Sequence, residues 1–281
     1  MKTYLDCYPC FLRQALSIAR RVGADQQQQL LVVHRVLELL KDIPLGANPP
    51  EIAHYVHGFV HDEINVHDPY KEAKSASTQQ ALTLYPRLKN LVMHSDDALD
   101  TAIRLSIAGN IIDLAISEHH DDLWATVKRV LKQPFAVNDA NEMREKLAEA
   151  DHVLFLADNA GETVFDRILV ETLPIPVLYA VKGGPILNDA TMEDAVAAGL
   201  DQCATLMSTG SDAPGTIVAL CSEEFRDQYS AAPLIIAKGQ ANYETLSDAG
   251  PSTFCLLQVK CPVIGRDIGA PVGSIILRCS C

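Results

Sequence analysis

Apolar positions recur at helical spacing through the first half of the chain. Cys10 to Val22 and Gln26 to Leu40, which ends in LLVVHRVLELL, each carry an apolar stripe along one face. Pro49-Pro50 opens a third helix running toward Asn65, since a first helical turn tolerates proline. Pro69, Pro86 and Ser95-Asp96-Asp97 punctuate the next segments, with Ser95 or Asp96 as an N-cap. Ala98 to Ser117 reads as a long apolar helix interrupted at Gly109-Asn110. No strand-like alternation is visible here, so residues 1–150 are expected to form a helical domain.

From about residue 151 the rhythm changes. Short β-branched runs, HVLFLA (152–157), IPVLYAV (175–181), ATLMS (204–208), PLIIA (233–237) and TFCLLQ (253–258), alternate with helical stretches. Those helices are placed near Glu162–Thr172, Met192–Ala198, Gly215–Phe225 and from Asn242 onward. Strands alternating with helices predict an α/β domain over residues 151–281, with a mostly parallel sheet covered on both faces. GSIILR (273–278) reads as a further edge strand.

In an open parallel sheet, ligands bind beyond the carboxyl ends of the strands. The residues there are Asp158-Asn159-Ala160-Gly161-Glu162, Lys182-Gly183-Gly184, Asn188-Asp189-Ala190-Thr191, Ser208-Thr209-Gly210, Lys238-Gly239-Gln240-Ala241-Asn242 and Lys260-Cys261. Asp158, Asn159 and Asp189 make a hard oxygen set suited to a divalent cation, and Lys238 is a point charge for a phosphate. The glycines at 183, 184, 210 and 239 let backbone amides approach an anion. Together they describe metal-assisted phosphoryl chemistry. Asp and Asn after a strand also serve as turn and cap residues, and Asp189-Ala190-Thr191 is a good helix start by itself. It is the agreement of four loops on one sheet edge that favours a site.

The 281 residues carry a formal charge of −13, which disfavours nucleic acid and anionic lipid as partners. The N-terminus has no apolar signal core and no run is long enough to span a bilayer, so a cytoplasmic protein with mostly reduced thiols is expected. G-x-G-x-x-G, the P-loop and G-x-S-x-G are all absent, which demotes dinucleotide binding, P-loop NTPase and serine hydrolase chemistry. Cys7 and Cys10 form a lone C-x-x-C. With Cys261, or with Cys279 and Cys281, they could bind metal or form a redox pair, against a plainer reading as small hydrophobes and tail thiols. His54, His57 and His61 share a helix face and read as a polar surface stripe; His119-His120 beside Asp121-Asp122 carries less.

The motifs ADNAGE (157–162), LNDAT (187–191), AKGQANYE (237–244) and GNIIDL (109–114) resemble those of the metal-dependent damage-control phosphatases, also known as domain of unknown function family 89. DCYPC (6–10) and KC (260–261) are similar to its short, stand-alone microbial branch. The resemblance implies a helical N-terminal part joined to an α/β/α sandwich. It implies a cation (Mn, Mg, Co or Ni) on Asp158, Asn159 and Asp189, with Lys238 at the substrate phosphate. Gly239 to Asn242 would line the pocket, Asn110 and Asp113 would face it from the helical part, and Glu162 would lie near the metal. It further implies hydrolysis of small phosphorylated metabolites such as sugar phosphates. Larger relatives have been linked to carboxyl methyl transfer, for which this chain has no glycine pattern. Attack by an activated water is preferred over attack by Asp158. The alternative function is a non-catalytic phosphometabolite sensor using the same pocket.

Overall fold

The structure, a computed structural model, describes residues 1–44, 46–64, 67–111 and 123–280, without the side chains of Asp62 and Ile64. Three helices come first: α1 (Cys7–Arg21), α2 (Gln26–Lys41) and α3 (Pro49–Ile64). Asp25 starts α2 by accepting the Gln27 and Gln28 amides, while the Gln28 side chain accepts the Asp25 amide. Asn48 and Glu51 make the equivalent reciprocal pair ahead of α3. Phe11, Ile18, Val32, Val36, Ile52 and Val56 bury a core that these helices share among themselves.

Next come α4 (Lys71–Met93), α5 (Ala98–Ile111), α6 (Leu123–Lys132), β1 (Phe135–Asn138) and α7 (Ala140–Glu149). The remaining strands are β2 (Val153–Leu156), β3 (Val177–Val181), β4 (Thr205–Ser208), β5 (Ile235–Lys238), β6 (Thr253–Gln258) and β7 (Ile275–Cys279). Between them lie α8 (Thr163–Thr172), α9 (Met192–Ala197), α10 (Glu223–Ala231), α11 (Gly239–Leu246) and α12 (Pro262–Ile268). Strand order is β1-β7-β6-β5-β2-β3-β4, parallel throughout except where β6 meets β7 antiparallel. One face of the sheet, with Phe155, Tyr179, Ile236 and Phe254, packs on α4 to α8. The other, with Leu154, Ile235, Leu257 and Ile276, packs on α10 to α12. Among the described residues no helix is long and apolar enough to cross a membrane.

Five sequence expectations are corrected. The sheet takes its edge strand, β1, from the stretch read as wholly helical. The 273–278 run lies inside the sheet, between β1 and β6, and not at its edge. Pro86 sits within α4, where it removes one backbone hydrogen bond; burial of Ala81, Leu88 and Val92 holds the helix across it. No helix begins at Gly215: a single 3-10 turn (218–220) precedes α10, which Ser222 caps by accepting the Phe225 amide. Gly109-Asn110 does not interrupt α5. A Cβ at Gly109 would lie 2.8 Å from that of Phe165, so the glycine lets α5 press onto α8. The expected extension of this helix to Ser117, Asp113, His119, His120 and Cys281 lie outside the described residues.

The histidine stripe on α3 is not a surface feature throughout. His61 is exposed, but His57 is only 6% exposed and its Nε2 has no hydrogen-bond partner. Burial, reinforced by His54, pushes His57 down to about 4, against about 6.5 in an unfolded chain. The unfolded state therefore binds the extra proton, and stability present above pH 6.5 is lost as pH falls toward 4. Between pH 7 and pH 5 this group contributes about 2 kcal/mol of lost stability. Urea unfolding of His57→Leu should show a drop smaller by that amount over the same interval; an identical drop would refute the assignment.

Candidate active site

Strand β2 has β3 on one side and β5 on the other, so the chain leaves its carboxyl end in one direction and returns on the opposite side. That is a topological switch point, where the loops diverge and leave a crevice. Asp158 and Asn159 follow β2, Lys182 follows β3 and Lys238 closes β5. Backbone hydrogen bonds then join two loops: the Ala190 amide donates to Asp158 O and the Ala160 amide to Asn188 O, each at 2.8 Å. An antiparallel bridge pairs Asn159 with Asp189. The acids widely separated in sequence are thus placed together by main chain.

Behind them lies a buried polar cluster. Asn110 Nδ2, from α5, donates to Asp158 Oδ2 at 2.8 Å and Glu162 Oε2 at 2.9 Å. Asn159 Nδ2 donates to the same two oxygens, each at 3.0 Å. Lys238 is fully buried, its ammonium held by Glu162 Oε1, Asp166 Oδ1 (2.6 Å) and Ser106 O (3.1 Å). Asp166 also accepts from Ser106 Oγ and Tyr179 OH. Burial alone would lower the Lys238 pKa, but Asp166 and Glu162 outweigh it and hold the group above the ordinary lysine range. Asp166 is pushed up to about 6 by burial, with Lys238 working against the rise. Burial, then the charges of Glu162 and Asp189, hold Asp158 well above the usual carboxylate range.

In front is a cleft of about 460 Å³ lined by Asp158, Asn159, Asn188 and Asp189 from the crest, by Gln240, Ala241 and Glu244 from α11, and by Cys7, Cys10, Arg13 and Gln14 from α1. Lys260 and Cys261 also line it, as does Asp6, which pairs with Arg266. The C-x-x-C and Cys261 therefore do meet at one place. Burial raises the Cys7 and Cys10 pKa values, so these thiols are held in the protonated form. Among the described residues no three His, Cys, Asp or Glu side chains form a metal cage, and Cys7, Cys10 and Cys261 are free thiols.

The donor set at the crest nevertheless fits a hard divalent cation. It comprises two carboxylates and an amide, all oxygen donors, with Asn159 supplying its side-chain carbonyl. Like charges converge on Asp158 in a buried setting that a cation relieves. The Asn110 amide oxygen is also buried with no donor. Gly239 keeps the approach open: its φ is +80°, and a Cβ there would collide with the Asp158 carboxylate.

The remaining expected residues fall as follows. Asn110 and Glu162 join the cluster directly. Lys238 stands behind the cleft wall, reaching the crest through Glu162. Asn242 is buried and bonds Ala157 O, Lys238 O and Thr216 Oγ, tying loops together without lining the cleft. Sequence reasoning missed Ser106 and Asp166. The signal for Asp166 was an acid one turn after Glu162, on the buried face of TVFDRILV. It also left Lys182 without a role; its ammonium bonds Gly215 O and lies 3.5 Å from Asp189.

A parallel α/β sheet with carboxylates and amides gathered at its switch point is the setting of the candidate site. The chain belongs to the damage-control phosphatase ARMT1-like family, whose model matches residues 3–276. A damage-control phosphatase of Pyrococcus horikoshii is 32% identical over 98% of this chain and 97% of its own. One from Archaeoglobus fulgidus is 33% identical over 99% of both, and an uncharacterized protein of Methanocaldococcus jannaschii is 32% identical over 97% and 93%. The crystal structure of a DUF89 family protein from P. horikoshii superposes with a TM-score of 0.91 at 31% identity, covering 100% of each chain.

Lys238→Met strands two buried carboxylates, which costs about 3–5 kcal/mol. Chemical denaturation should show that loss, and adding Asp166→Asn should recover part of it. If the double variant is as unstable as the sum of the single ones, the cluster does not act as a unit.

Proposed function

We propose that the protein is a divalent-metal-dependent phosphatase that hydrolyses small phosphorylated metabolites, sugar phosphates among them. The observation that carries this reading is the main-chain bridge that sets Asp158, Asn159 and Asp189 side by side at the mouth of the cleft. Names of relatives matching almost the full chain support it: two are damage-control phosphatases. The cleft volume suits a metabolite-sized ligand.

Asp158, Asn159 and Asp189 would hold the cation, which can be Mg²⁺, Mn²⁺, Co²⁺ or Ni²⁺. Such a cation supplies charge neutralisation at the phosphoryl group and makes water more acidic. The chain's own residues do the positioning. Asn110 and Asn159 fix the Asp158 carboxylate through Oδ2, and Glu162, anchored by Lys238, fixes both amides in turn. Lys182 holds the Asp189 loop against Gly215. Water attacks phosphorus in line with the departing alcohol, giving inorganic phosphate and the free hydroxyl compound. Water is preferred to Asp158 as nucleophile because a carboxylate engaged with a cation is a weak one.

Chelator-stripped protein should release no phosphate from a panel of phosphate esters, and adding back one of the four cations should restore release. Asp158→Ala and Asp189→Ala should each lower restored turnover at least a hundredfold with unfolding temperature little changed. Cation binding without release from any ester would replace this reading with a non-catalytic phosphometabolite-binding protein.

A further inference from the structure

The cleft contains two cations and one polar atom that the reaction above does not use. Arg13 and Gln14 are consecutive residues of α1, and Lys260 follows β6; all three line the same cleft as Asp158, Asn159 and Asp189. The lysines around the crest already have carboxylate partners: Lys238 has Glu162 and Asp166, Lys182 has Asp189, and Lys74 has Asp68 and Asp194. Arg13 and Lys260 have none among the described residues, and both are exposed. Lys260 lies near enough to act on Asp158, lowering its pKa against the larger effect of burial. Gln14 Nε2 donates to Cys10 Sγ at 3.6 Å, whereas Gln14 Oε1 is buried and accepts nothing.

Each group has a chemical complement. A guanidinium that has only the Cys10 thiol as neighbour and an ammonium, both without carboxylate partners in a cleft that ends in carboxylates, suit a dianion, the guanidinium through paired N–H donors and the ammonium as a point charge. A buried amide oxygen without a donor is costly until an O–H or N–H reaches it. We propose that this wall reads the substrate: Arg13 and Lys260 receive the phosphoryl oxygens, and Gln14 Oε1 accepts a hydroxyl of the esterified group. The proposal rests on the phosphatase reading of the same cleft and assigns the part of it that selects among phosphate esters. It also gives the first helix a function: with Lys238 enclosed behind the wall, the charge that meets phosphate comes from α1 and from the turn after β6.

The test uses metal-loaded protein and three probes: inorganic phosphate by calorimetry, and the hydrolysis of p-nitrophenyl phosphate and glycerol 3-phosphate. Arg13→Gln and Lys260→Gln should each weaken inorganic phosphate about tenfold and raise KM for both esters about tenfold, with kcat within about threefold. Gln14→Leu should raise KM about tenfold for glycerol 3-phosphate and leave p-nitrophenyl phosphate, which has no hydroxyl, unchanged. Lys132→Gln, an exposed charge change on α6 away from the cleft, should alter nothing. Unfolding temperatures confirm that each variant is folded. Wild-type turnover with unchanged KM and phosphate affinity in both charge variants would overturn the inference and leave the phosphatase reading standing. Phosphate binding lost in those variants, without turnover by wild type, would keep the anion site and sink the phosphatase reading. Equal loss for both esters in Gln14→Leu would overturn the hydroxyl assignment.

Discussion

A lysine sealed from water organises the crest of this sheet. An unpaired ammonium at the Lys238 position would cost several kcal/mol, so the fold is tenable only with Glu162 and Asp166 in place. Those acids lie one helical turn apart, Glu162 at the N-cap of α8 and Asp166 within it, and Ser106 on α5 meets both Lys238 and Asp166. Strand β5, α8 and α5 are therefore fixed relative to one another by directional contacts. Apolar packing of α5 on α8, with Gly109 against Phe165, sets only how close they come. The cluster continues outward without a break, from Lys238 to Glu162, through the amides of Asn110 and Asn159, to Asp158 at the cleft. A disturbance in the core thus reaches the carboxylate that faces the ligand.

Topology explains why the cluster sits there. Because β2 has its chain neighbours on opposite sides, the loops after β2 and β5 part and leave backbone groups without sheet partners. The Asp158–Asn188–Ala190 hydrogen bonds satisfy several of these. The same bonds bring Asp189 from a loop about thirty residues further along to a position beside Asn159. Gly239 begins α11 in a left-handed conformation, and Asp158 also occupies the space a side chain would need there. A requirement of main-chain geometry and a requirement of the site meet in one residue.

How much of this was legible in sequence follows from what each element exposes. Strands β2, β3, β5 and β6 were readable because buried parallel strands form nearly unbroken apolar runs. The four residues of β1 alternate between half-buried and exposed and carry no such mark, and β7 reads as an edge when its neighbours are unknown. Pro86 and Gly109 misled because the tertiary packing that tolerates one and requires the other is not local. Within the site, Asp158, Asn159 and Asp189 declared themselves by following strands. Asp166 and Ser106 sit on helix faces where polar residues are usually solvated, and only the partner helix shows that they are buried. His57 was misread for the mirror reason: a histidine stripe suggests surface, yet one of its members points into the body.

The charge of −13 and an anionic substrate are at odds only at long range. At physiological ionic strength the field of distant surface acids is screened beyond about 8 Å, so groups inside the cleft decide what binds there. Inside, Asp158, Asp189 and Glu244 face Arg13 and Lys260. Burial pushes Glu244 up to about 7, with the Gln240 hydrogen bond resisting, so near neutrality it carries only part of a charge. An anion entering alone meets excess negative charge at the crest, and a cation entering alone satisfies the acids but leaves Arg13 and Lys260 unmatched. Cation and phosphate together neutralise both ends of the cleft. On the proposed reading the electrostatics thus favour joint occupation, with the crest acids assigned to the cation and the α1 wall to the anion.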